Sequence, residues 1–76
     1  MNIFSEVSLM KISYKKLWIM LAEQEMSKAE FRDALELSTG TMTKLNKGEE
    51  VSLATLLRIC GYFKCNIGDI CDAVEI

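Results

Sequence analysis

The sequence predicts an all-α fold, a compact bundle of five short helices, with ends that either pair as short strands or leave an N-terminal arm. Three observations carry that expectation. Apolar residues recur at three- and four-residue spacing through most of the chain, serine or asparagine stands where helix starts are needed, and no proline interrupts a helix. With 76 residues, half of them hydrophobic, the chain has material for one domain around one core. A domain this small buries only about 60–65% of its unfolded surface, so it depends on dense helix packing, a metal, disulfides or a partner subunit.

Residues 1–12 carry Ile3, Phe4, Val7, Leu9, Met10 and Ile12 without a clean period. They suit an arm, a strand or an extra helix, and residues 3–7 could pair with 74–76 within or between chains. The domain proper is expected over 13–72. Its first helix, 13–25, opens on Ser13 as a cap and places Leu17, Trp18, Met20 and Leu21 at helical spacing. Ser27-Lys28-Ala29-Glu30 reads as a capping box, so a second helix runs from Lys28 to Leu35 with Phe31 and Leu35 on its buried face. Ser38 starts a third helix over 39–46, with Met42 and Leu45 inward and a glycine stop at Gly48. Ser52 caps a fourth, 53–63, whose Leu56, Leu57, Ile59, Cys60 and Phe63 make an apolar face wide enough for a central core helix. Asn66 caps a short fifth with Ile67, Ile70 and Cys71, and residues 73–76 form a tail. Trp18 belongs to packing, whereas Ile19 points partly away from Leu17 and Leu21 and is a candidate dimer contact.

Composition removes several function classes. Three cysteines, Cys60, Cys65 and Cys71, are an odd number with no signal peptide ahead of them, which argues for reduced thiols. With no histidine and no Cys-x2-Cys spacing, a metal site is not expected; Cys60 and Cys71 suit small core positions and Cys65 a turn. The longest apolar run, residues 17–22, falls far short of the roughly 20 residues that cross a bilayer. The bacterial or phage cytoplasm is the expected compartment. Asp69 and Asp72 are close acids without a neighbouring base, nucleophile or phosphate loop, so no enzyme is expected. Packing consumes so small a core that neither a cofactor nor a small-molecule ligand is expected.

The net charge of −2 conceals a lopsided distribution. Between Lys11 and Lys47, seven cations face five carboxylates; from Gly48 onward, two face five. Taken alone, Lys15, Lys16 and Lys28 make an ordinary solvated face. Their neighbourhood gives them another use. Two short helices, 28–35 and 39–46, joined by a few residues form a helix-turn-helix corner. In such a corner the first helix braces on phosphates while the second lies in the major groove. The wet face of the second reads Thr39, Gly40, Thr41, Thr43 and Lys44, small polar groups followed by a long cation.

The runs ISYKKLW at 12–18, MSKAEFR at 26–32, LSTGTMTKLNKGE at 37–49, VSLATLLRIC at 51–60 and NIGDI at 66–70 together resemble the Cro-like, phage-repressor helix-turn-helix family of XRE type. The likeness covers about residues 12–71. It implies a lambda-repressor-like fold and double-stranded DNA as partner, bound by a homodimer that acts as a small transcriptional regulator. It also implies groove-reading positions at Thr39, Gly40 and Thr41 with Lys44 one turn on, and a phosphate contact at Lys28. Thr43 shares the wet face, and Asn46 and Lys47 are further candidate DNA contacts at the far end of the helix. Two departures stand out. Glu36 occupies the turn where many members have glycine, and Gly40 stands where the family often has a base-reading side chain. A second reading, of another class, keeps the fold as a protein-interaction module, antitoxin-like or anti-repressor, that binds through its apolar termini.

Overall fold

A computed structural model describes residues 7–76. The order of elements is β1 (Met10–Ser13), α1 (Lys15–Glu23), α2 (Lys28–Leu35), α3 (Thr39–Lys47), α4 (Leu53–Phe63), a single 3-10 turn (Ile67–Asp69) and β2 (Asp72–Glu75). Three of the four α-helices start as their sequence dictates. The hydroxyls of Ser27, Ser38 and Ser52 accept the backbone N–H of Glu30, Thr41 and Thr55 at 3.0–3.1 Å, each satisfying an amide that the helix cannot. α1 departs from expectation. Ser13 is the last residue of β1, Tyr14 is the N-cap and makes no side-chain cap bond, and Ser13 Oγ accepts only a long 3.4 Å bond from the Lys15 amide.

The expected fifth helix is instead the short 3-10 turn. The carbonyl of Ile70, needed to carry a helix onward, accepts the Leu17 N–H at 3.2 Å, and the chain turns into β2 two residues later. Ile70 is fully buried, so this bond and its side chain both fasten the turn to α1.

β1 and β2 pair antiparallel with Met10 opposite Glu75 and Ser13 opposite Asp72. The Ile76 N–H continues the ladder to the Leu9 carbonyl at 3.1 Å. The strand therefore lies nearer the domain than the expected 3–7 segment. Of that segment Val7 has no regular structure, and the rest lies outside the described residues. This register lets Ile12 pack on the core and sets Lys11 across from Val74. Lys16 ties the sheet to α1, donating to Asp72 Oδ1 at 3.1 Å and to the Gly68 carbonyl at 2.9 Å.

The most deeply buried side chains are Leu17, Phe31, Leu45, Ile59 and Ile70, one from each helix and one from the end of the 3-10 turn. The core is thus a meeting point of every helical element, not a pairwise contact. One expectation about its margin needs correction. Leu57 is 53% exposed, because α4 buries Leu56, Ile59 and Cys60 and turns the next stripe to solvent. Trp18, expected to take part in packing, does pack against the core, half-buried at its edge. Cys60 and Cys71 are buried, Cys65 less so. Burial pushes the thiols of Cys65 and Cys71 above the usual range, which disfavours the reactive thiolate. Among the described residues no helix is long and apolar enough to cross a membrane.

Candidate nucleic-acid interface

The junction between α2 and α3 occupies only residues 36–38, and three devices fix its direction. Glu36 adopts the left-handed conformation (φ 54°, ψ 43°), and the Leu37 N–H returns to the Arg32 carbonyl at 2.9 Å, a closing bond usually built on glycine. Leu37 then buries its side chain, and the Arg58 guanidinium of α4 donates to the Leu35 carbonyl, satisfying an orphan acceptor at the helix end. Ser38 follows at once as the cap of α3.

α3 divides cleanly into two faces. Met42 and Leu45 are buried, while Thr39, Gly40, Thr43, Lys44, Asn46 and Lys47 are exposed and Thr41 is half-buried. The hydroxyls differ in what they still offer. Thr43 Oγ1 donates to the Thr39 carbonyl at 2.9 Å, leaving only its lone pairs for an outside group. Thr41 Oγ1 accepts from Ser38 Oγ at 3.0 Å and keeps its own proton to donate. At Gly40 a Cβ would meet Ser38 Oγ at 3.9 Å, an ordinary contact, so the site has room for a side chain. The amides of Thr39 and Gly40 have no acceptor among the described residues and point the positive end of α3 outward. Lys44 and Lys47 stand in the last turn, where cations are favoured by the helix dipole.

At the start of α2, Ser27 and Glu30 form a complete capping box, the Ser27 N–H donating to Glu30 Oε1 at 3.1 Å. These bonds hold the Glu30 carboxyl below its usual range. Lys28, the next residue, reaches across the junction. Its Nζ donates to Asn46 Oδ1 at 2.8 Å and lies 4.0 Å from the centroid of the Trp18 ring. Three helices thus converge on one ammonium.

A family model described as Cro/C1-type HTH DNA-binding domain matches residues 16–75. The chain belongs to the Cro/C1-type helix-turn-helix DNA-binding family. It is also similar to a crystal structure of the transcriptional regulator VanUg (Form II), with 46% sequence identity, 88% of this chain and 89% of that chain covered, and a TM-score of 0.86. No curated protein matches it.

Within this Cro/C1-type domain, the candidate residues read from sequence fall into two groups. Thr39, Gly40, Thr41, Thr43 and Lys44 share the outer side of α3, whereas Lys28 and Asn46, expected as separate contacts, are bonded to each other. Lys47 stays exposed at the end of α3. Sequence reasoning missed Trp18, whose ring underlies Lys28. The two are ten positions apart on different helices, and no local period joins them. It also counted Lys16 toward a basic half, but that charge is engaged with Asp72.

Proposed function

We propose that this chain is a sequence-specific, double-stranded DNA-binding regulator, a repressor acting in the bacterial or phage cytoplasm as a homodimer. The observation that carries the reading is the exposed polar face of α3, set by Ser38 and held from behind by buried Met42 and Leu45. Side chains fixed in this way can enter a major groove without first paying for order within the helix. Thr39 and Thr41 meet base edges from the first turn, with Gly40 allowing close approach of the backbone. Thr43 accepts from a base amino group, and Lys44 donates to purine acceptors. Lys28, Asn46 and Lys47 hold the flanking phosphates and fix register. Two protomers related by a twofold axis would present their α3 helices about 34 Å apart, one turn of duplex. The second half-site compensates for the few base contacts that small threonine side chains make.

A selection from a random duplex library, with stoichiometry measured by sedimentation, tests this reading. The expected product is an inverted repeat with half-site centres about 10 base pairs apart, bound by two protomers. Recovery of no preferred sequence would contradict it. The second reading, a protein-interaction module of antitoxin-like or anti-repressor kind that binds through its apolar termini, draws support from Leu9 and Ile76, which are 76% and 80% exposed where the two ends of the chain meet.

A further inference from the structure

Lys28 is an exposed lysine held from two sides, by the face of Trp18 and by Asn46 Oδ1. The platform beneath it is continuous with the core. Trp18 meets Phe31 edge-on, with ring centroids 6.4 Å apart and planes at 86°, and fully buried Phe31 stacks on Phe63 at 6.1 Å and 17°. A surface lysine ordinarily surrenders much rotamer freedom when it binds; here part of that loss has already occurred in folding. The chemistry left over is one-sided. The ammonium has three N–H bonds and gives one to Asn46, while Asn46, with its oxygen accepting, keeps its NH2 group as a donor. The start of α2 and the end of α3 therefore present a cluster of donors suited to a single phosphate.

We propose that Trp18 is a positioning residue for DNA-backbone binding: its indole face holds the Lys28 ammonium beside the Asn46 amide, so that both meet one phosphate with little rearrangement. The proposal rests on the DNA-binding reading above. Because the cluster addresses phosphate and not base edges, its effect is the same on every sequence.

The test is a double-mutant cycle with random-sequence duplex at about 0.1 M salt, comparing wild type, Trp18→Leu, Lys28→Met and the double variant. Lys28→Met should weaken binding about tenfold per engaged protomer, the release of one counterion at that salt. Trp18→Leu should weaken it about two- to fivefold per protomer, the value of an exposed cation–π contact. The double variant should bind no more weakly than Lys28→Met alone, because Trp18 acts only through the lysine. Trp18→Phe, which restores an aromatic face, should recover most of the loss. Should melting show Trp18→Leu to be unfolded, Trp18→Met, flexible enough to fill the gap, takes its place. Losses that multiply in the double variant, or a folded Trp18→Phe as weak as Trp18→Leu, would overturn the positioning role while leaving DNA binding intact. A folded wild type that binds no duplex would overturn the DNA-binding reading and this role with it.

Discussion

The Tyr14 phenol donates to the Glu49 carbonyl oxygen at 2.8 Å, joining the residue ahead of α1 to the loop that leaves α3, 35 positions on. The bond holds the exit of α3 against the start of α1. Tyr14 itself is buried, so its ring contributes packing as well as the bond. Tyr14→Phe keeps the ring and removes the donor, and should cost about 1 kcal/mol, lowering the melting temperature by about 4–8 °C. The loss also has a pH signature. Burial pushes the phenol above its ordinary value of 10.0, so the folded chain holds this proton more tightly than the unfolded chain. The contribution is complete below about pH 10 and declines as pH rises beyond it. Melting curves on the alkaline side should therefore fall less steeply for Tyr14→Phe than for wild type.

Glu36 bears the left-handed turn that glycine adopts without strain. Glu36→Gly should stabilise the domain by about 1 kcal/mol, less the extra freedom that glycine gives the unfolded chain. It also removes a negative charge beside the proposed interface. Thermal melting should show the gain in stability, and duplex titration a modest rise in affinity.

Gly40 weakens the first turn of α3 while leaving room for a Cβ. Gly40→Ala should raise stability by about 0.5 kcal/mol, read from denaturant titration. Gly40→Gln should add discrimination of about 1 kcal/mol for adenine at one position of each half-site, read from binding to a panel of single-base variants.

Lys44 and Lys47 differ in expected consequence although both are exposed on the last turn of α3. Lys44→Ala should narrow the gap between preferred and random duplex, because it loses the proposed base contact. Lys47→Ala should weaken both alike and reduce the salt slope by about one per protomer.

The parts legible in the sequence are those fixed by nearby residues. Ser27 with Glu30, Ser38 with Thr41 and Ser52 with Thr55 each act within one turn, so α2, α3 and α4 begin where the serines place them. The outward set on α3 followed from Met42 and Leu45 alone, since their spacing assigns the opposite face to solvent. What escaped was non-local. A pairing of the two ends was open in the sequence, but not its register, which depends on Met10–Ser13 finding Asp72–Glu75 at the other end of the chain, and the 3-10 turn stays short because the Ile70 carbonyl bonds to α1. Lys28 over Trp18 is of the same kind: each residue taken alone reads as surface charge or core aromatic, and only the packing of three helices makes them a pair.

The most direct test of DNA binding is a fluorescence-anisotropy titration of the folded protein against duplex DNA across a series of salt concentrations. With Lys28 and Lys47 of two protomers on phosphate, log K should fall against log salt with a slope of about −4. A folded sample that fails to bind at low salt, or that binds with an affinity indifferent to salt, would contradict the assignment of this face to DNA.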